Sequence, residues 1–298
     1  MSKQRNLKYQ FMNCIQKNFH EGINKHSLKA SGKNGNEVFS YSQRKNLIDL
    51  SANFSNWMKE THPEVKQVNQ VNSDHIQEFL NSKTNCSQAT LEQYQSQFRK
   101  LENLVNNTYK ASVNYHSATT PRSTKNGGGK LRSDMLSTSN YNKLMSNSTN
   151  QNFKNALCLS QNFGLRASEC SKLKYSDISE NGIKIVDSKG GRSRFIPCET
   201  QQQKQVIKDF LGKVGRVCNC KTASLQQAFC REKKKNGISS ASDFHSSRKA
   251  YATNKFQEYR QQGLSVQQSL NKVSSNLGHS GDGSRNDLMK EYICCSIE

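Results

Sequence analysis

Apolar positions recur at helical spacing along much of the chain, interrupted by polar breaks. A first helix is expected around Leu7–Phe19, and Ser31-Gly32-Lys33-Asn34-Gly35-Asn36 then ends any periodicity. Leu47, Leu50, Phe54, Trp57 and Met58 share one face of a second helix. Ser73-Asp74 reads as an N-cap for a short helix carrying Ile76, Phe79 and Leu80. Thr90 or a neighbour opens another, with Leu91, Tyr94, Phe98, Leu101 and Val105 on its inner face. Residues 1–38 are therefore expected as an N-terminal arm or tail, and 39–115 as a small all-helical domain.

Between His116 and Arg132 the pattern lapses. Pro121 and Gly127-Gly128-Gly129 sit among Arg122, Lys125, Lys130 and Arg132, so 116–134 reads as a basic linker. Such a strap could cross a phosphate backbone or act as a plain hinge. The pattern that resumes is different. Phe153, Ala156, Leu157 and Leu159 suggest a buried helix ended by Gly164, and Ser168 reads as the cap of the next. Gly182–Val186 and Arg194–Pro197 alternate as two short strands around an Asp187–Gly191 turn. Helices are expected near 201–213, 224–234, 244–260, 265–276 and 286–295. Residues 135–298 thus form a second domain, and the whole is mainly α with a small antiparallel sheet (α+β).

Composition narrows the function. The chain has 298 residues, is 33% hydrophobic and has a formal net charge of +21. Low apolar content suits small cores, and an excess of this size seeks polyanions such as DNA, RNA or an acidic membrane. No run approaches the roughly 18 apolar residues of a membrane span, and no apolar stretch follows the basic start. A cytoplasmic, nucleoid-associated protein is expected. The ten cysteines are scattered, which fits free thiols. Cys218, Cys220 and Cys230 make a weak metal-ligand set, and no metal or other cofactor is expected.

Four stretches carry candidate chemistry: Gly164-Leu165-Arg166-Ala167-Ser168-Glu169, Lys189-Gly190-Gly191, His245-Ser246-Ser247-Arg248, and Leu277-Gly278-His279-Ser280 followed by Tyr292. Arginine suits phosphate because its planar fork donates two parallel hydrogen bonds. His245 and Arg248 stand three residues apart, so they share a helix face. Each stretch alone is common, but the ordered set resembles the tyrosine recombinase (phage integrase) family. The interval from Arg166 to Lys189 (189 − 166 = 23) agrees with that family. So do Val71–Leu80 and Ala89–Tyr94, which look like its helical core-binding domain ahead of the catalytic one.

The resemblance implies a site-specific DNA recombinase or integrase working through a 3′-phosphotyrosine intermediate. Arg166 and Arg248 would hold the non-bridging oxygens. His245 would accept a proton, and His279 would donate a hydrogen bond to the phosphate. Lys189 would protonate the leaving 5′ oxygen, and Tyr292 would be the nucleophile. A free tyrosine has a pKa near 10, so such a nucleophile needs cations and a proton acceptor. Lys189 could also be an ordinary turn lysine, and Arg192 or Arg194 could meet phosphate instead. Tyr292 follows His279 by 13 residues (292 − 279), longer than the family interval, and is the only tyrosine beyond it. The implied partner is double-stranded DNA, gripped by a two-domain clamp and a homo-tetramer on two sites, with room for accessory DNA-bending proteins. The implied setting is a mobile element. A type IB topoisomerase-like enzyme and a non-catalytic DNA-binding accessory protein remain the rival readings.

Overall fold

A computed structural model describes residues 6–21, 23, 37–125, 134–188, 193–280 and 282–297. The chain divides into two compact units, Met1–Gly128 and Gly129–Glu298. It is mainly helical with one small antiparallel sheet.

In the first unit, α1 (Leu7–Lys17) starts at Asn6, whose side chain accepts from the Tyr9 amide at 2.9 Å. Ser40, Asn72 and Ser87 cap α2 (Tyr41–Thr61), α3 (Ser73–Asn81) and α4 (Gln88–Tyr109) in the same way. These caps satisfy amides that the first helical turn leaves unpaired. The cap of α3 falls on Asn72, one residue before the expected Ser73, because its side-chain Oδ1 accepts from two amides, those of Asp74 and His75. The core centres on Phe54, whose ring meets Phe98 at 5.1 Å and Phe79 at 5.3 Å, edge to face. Phe11 of α1 joins them at 6.1 Å, and Leu7, Cys14 and Ile15 are buried beside it. The segment read as an arm or tail therefore carries a helix that fills part of this core. Residues 116–125, read as the start of a linker, also hold ordered contacts. Ala118 is buried, and the Thr119 amide donates to Gln77 Oε1 at 2.8 Å. The glycine run 127–129 lies outside the described residues.

The second unit is built on α6 (Gln151–Phe163) packed against α10 (Phe244–Gln261). Phe153, Leu157, Phe229 and Phe244 lie in its core, and Ser247 Oγ meets Ser160 Oγ at 2.6 Å between the two helices. Preceding α6 is α5 (Thr138–Asn147), a helix that polar Asn and Ser residues hide from periodicity. Gly164 ends α6 at φ +65°, where a Cβ would lie 2.5 Å from Tyr251 Cδ1. The next helix, α7 (Ala167–Cys170), is capped at Arg166 rather than at Ser168, because the Glu169 carboxylate accepts from the Arg166 amide at 2.9 Å. The sheet runs β1 (Ile178–Ser179), β2 (Gly182–Ile185) and β3 (Arg194–Pro197), all antiparallel. β2 and β3 match the expected strands, with Ile183 opposite Ile196 and Ile185 opposite Arg194. After α8 (Gln201–Lys208) and α9 (Thr222–Lys235), α11 (Val266–Asn276) and α12 (Asn286–Lys290) pack with α10 around Leu270, Val273, Leu277 and Met289. α12 is shorter than the pattern predicts, and Tyr292 follows it in a turn.

Candidate active site

The end of α6 and the start of α10 bring the candidate residues together. Arg248 is fully buried one turn into α10. Its guanidinium donates to the Gly164 carbonyl and, at 2.5 Å, to the Leu277 carbonyl. Burial lowers its pKa to about 10, and the nearby Arg166 charge acts in the same direction. Two carbonyls thus fix a charge that would otherwise be costly to bury.

Arg166 reaches Ser188 Oγ, 22 residues on, with Nη1 at 3.4 Å, and its side chain is only 16% exposed. Its Nη1 donates to Glu169 Oε1 at 2.9 Å, and its Nη2 to His279 Nε2 at 3.2 Å. That second contact makes Nε2 the acceptor, so the neutral ring carries its proton on Nδ1. Burial drives the His279 pKa down to about 4, helped by Arg166 and Arg248. His245 is likewise lowered to about 4, by burial first and then by the Arg248 charge. Both imidazoles are neutral at neutral pH, and a neutral imidazole can accept a proton.

Tyr292 is 9% exposed and lies between these groups. Its ring centroid is 5.1 Å from that of His245 and 5.9 Å from that of His279, both edge to face. Arg248 Cζ is 5.7 Å from the same ring. The long interval after His279 is taken up by residues 282–285, where Ser284 donates its amide to Asp282 Oδ1 at 3.0 Å and Gly283 adopts φ +87°. Thr253 of α10 then holds the returning strand, accepting from the Cys294 amide at 3.0 Å and donating to the Tyr292 carbonyl at 3.5 Å. Arg166, His245, Arg248, His279 and Tyr292 are therefore one cluster. Lys189, with Gly190, Gly191 and Arg192, lies outside the described residues.

Glu169 joins this cluster without having been singled out by its sequence pattern. Its side chain is 2% exposed. Arg194 grips it in a fork, Nη1 to Oε1 at 2.8 Å and Nη2 to Oε2 at 2.9 Å, and Ser188 Oγ also donates to it. Burial alone would raise its pKa, but the Arg194 hydrogen bonds and charge, then Arg248 and Ser188, hold it well below the usual carboxylate range. A signal for Arg194 does exist in the sequence. Strand alternation places it on the same face as buried Ile196.

All ten cysteines are free, Cys294 exposed and Cys295 half-buried among them. Among the described residues no His, Cys, Asp or Glu group could hold a metal ion, the Cys218, Cys220 and Cys230 set included. No helix among them is long and apolar enough to cross a membrane.

Three guanidiniums around one carboxylate, flanked by two neutral imidazoles and a tyrosine ring, define a site for an anionic group on a helical scaffold. Residues 134–280 match the model of the phage integrase family, and the second unit is a domain of that family, the tyrosine recombinases. Family and fold together support site-specific DNA recombination as the general activity and a recombinase as the class of enzyme. The fold is similar to that of XerH site-specific recombinase in a post-cleavage complex with its palindromic difH substrate. That likeness has a TM-score of 0.63 at 14% identity, covering 99% of this chain and 88% of the other. A lambda integrase tetramer bound to a Holliday junction gives 0.61 at 16% identity, over 97% and 78%. A DNA-bound lambda integrase fragment gives 0.60 at 15% identity, over 91% and 92%. A search of curated proteins finds no match.

Proposed function

We propose that the chain cuts and rejoins duplex DNA through a 3′-phosphotyrosine bond on Tyr292. The observation that supports this most is the placement of the Tyr292 ring beside His245, His279 and Arg248, despite its long interval from His279. In the proposed step the Tyr292 oxygen attacks phosphorus, and the bond from phosphorus to the 5′ oxygen breaks. The tyrosine proton passes to neutral His245, and Lys189, assigned by family resemblance, gives a proton to the departing 5′ oxygen. Arg166 and Arg248 stabilise charge on the non-bridging oxygens, and loss of one such donor would cost about 3–4 kcal/mol in the transition state. His279 holds Arg166 in the free protein and turns to the phosphate when DNA is bound. Attack of the freed 5′ hydroxyl on the phosphotyrosine rejoins a strand, so the bond energy is conserved and the step balances without a nucleotide. By likeness to the DNA-bound relatives, protomers act as a tetramer on two sites, in the service of a mobile element.

The test is covalent capture. The protein is incubated with a library of randomised duplexes, each nicked so that a short 5′ fragment escapes after cleavage. Adducts that survive denaturation are recovered and sequenced. Wild type should enrich a defined duplex, and Tyr292→Phe should yield none. An equal yield from Tyr292→Phe, or no adduct from wild type across the library, would overturn strand cleavage. Relaxation of a supercoiled plasmid lacking the recovered duplex would indicate a topoisomerase-like activity instead.

A further inference from the structure

We infer that Arg194 is a positioning residue, whose task is to neutralise Glu169 so that Arg166 remains available to a phosphate. The inference deepens the strand-cleavage reading and rests on it.

The cluster holds three guanidiniums and one carboxylate, 3 − 1 = +2 in formal charge. The carboxylate is buried, so its charge must be met from within the protein. Three cations compete for it, and they do so unequally. Arg194 takes both oxygens with two nitrogens. Arg166 spends one nitrogen on it, and Arg248 stands 3.9 Å away. A forked grip on two oxygens is also what a guanidinium offers a phosphate. If Arg194 were absent, Glu169 would draw that grip from Arg166, the donor already in contact with it. The carboxylate would then occupy the nitrogens that a phosphate needs.

The chain is built to hold Arg194 in this role. Its Nε donates to the Asn276 carbonyl at 3.0 Å, its side chain is 10% exposed, and strand β3 fixes its direction. Gly278 makes the passage possible. It has φ +71°, and a Cβ there would lie 2.8 Å from Arg194 Nη1 and 3.0 Å from Arg194 Cδ. The glycine before His279 thus admits the Arg194 guanidinium. With three nitrogens engaged by Glu169 and Asn276, the Arg194 guanidinium is held by groups of the protein. A direct contact of Arg194 with phosphate, the alternative offered by the sequence, is what the variants below separate from this role.

The test uses the full chain and the duplex recovered by covalent capture. Arg194→Met, Arg194→Lys and the double variant Glu169→Gln with Arg194→Met are compared by single-turnover adduct formation, duplex Kd and thermal unfolding. Positioning predicts that Arg194→Met slows adduct formation by about 10–100-fold at saturating DNA, with Kd nearly unchanged. Arg194→Lys should be nearly as slow, because an ammonium cannot form the fork. The double variant should recover about tenfold of the loss, since a neutral Gln no longer competes for Arg166. Three results would overturn the inference. One is Arg194→Met that weakens Kd and reduces the salt slope by about 1 while the rate at saturation holds, which makes Arg194 a phosphate ligand. Another is a double variant as slow as the single one at equal folded fraction, which makes the role structural. The third is full-rate adduct formation by Arg194→Met. Failure of the strand-cleavage reading shows as no adduct from wild type, whereas failure of this inference alone leaves wild-type adduct formation intact, so the two are distinguishable.

Discussion

The His245 and Tyr292 rings meet edge to face, 5.1 Å between centroids and 66° between planes, although 47 residues separate them (292 − 245). The contact depends on α10, which carries His245 at its start and Thr253 two turns on. Thr253 ties the Tyr292–Cys294 segment to the same helix. The proposed acceptor and the proposed nucleophile are thereby referred to one rigid element, the arrangement that precise proton transfer favours.

Tyr292→Phe should abolish adduct formation while leaving the fold almost unchanged. The ring packs with Met289 and Ile293, and the substitution removes only the hydroxyl. The thermal midpoint should stay within a few degrees of wild type, about 1 kcal/mol or less. A large drop in midpoint would show that the hydroxyl is a structural group.

Thr253→Val is expected to uncouple the Tyr292 segment. It keeps the shape of the side chain but leaves the Cys294 amide and the Tyr292 carbonyl without their partner. The stability cost should be about 1–2 kcal/mol. Single-turnover adduct formation should fall by more than that loss of folded protein explains. Equal rates per folded molecule would mean that the segment is placed by packing alone.

Gly164→Ala should be among the most damaging single substitutions in the second unit. The residue combines φ +65° with a Cβ position 2.5 Å from Tyr251 Cδ1 and 2.9 Å from Leu277 Cδ2. Its carbonyl also holds Arg248. A loss of about 3 kcal/mol or more is expected by urea denaturation, since strain and overpacking add. A loss below about 1 kcal/mol would show that Tyr251 yields easily.

Stability should depend on pH through His245 and His279. Both have folded pKa values near 4, against an ordinary value of 6.5. A depressed histidine binds fewer protons folded than unfolded, so stability rises with pH across that interval. It should be complete above about 6.5 and decline steadily as pH falls toward 4. The double variant His245→Asn with His279→Asn should flatten this slope in chemical denaturation at a series of pH values. An unchanged slope would place the titration elsewhere.

Phe11→Ala tests whether the first helix is part of the first unit. Phe11 is fully buried against Phe54. Its truncation should cost about 3–5 kcal/mol. A near-neutral result would return residues 7–17 to the role of a detachable arm.

Local signals carried much of this fold. Leu47, Leu50, Phe54 and Met58 at helical spacing, Gly164 as a stop and the alternation in 182–186 and 194–197 act over a few residues, and all lie where expected. Helix α5 was hidden because Thr138–Asn147 buries only Leu144 and offers almost no apolar stripe. The α7 cap moved to Arg166 because the Glu169 side chain folds back on the Arg166 amide.

By itself the sequence determined the residue types and their order: arginine, then histidine and arginine on one helix turn, then histidine, then a final tyrosine. It also determined the basic charge that favours a polyanion and the periodicity that makes the helices. Only the tertiary structure decided that Glu169 is shared among three arginines, that Arg194 turns inward past Gly278, and that Tyr292 reaches His245 across a long interval. It also decided that α1 fills a core. The physical reason is range. Propensity, caps and turns act between near neighbours in the chain. Desolvation, shared counter-ions and close backbone passage act between residues that become neighbours only when distant segments pack.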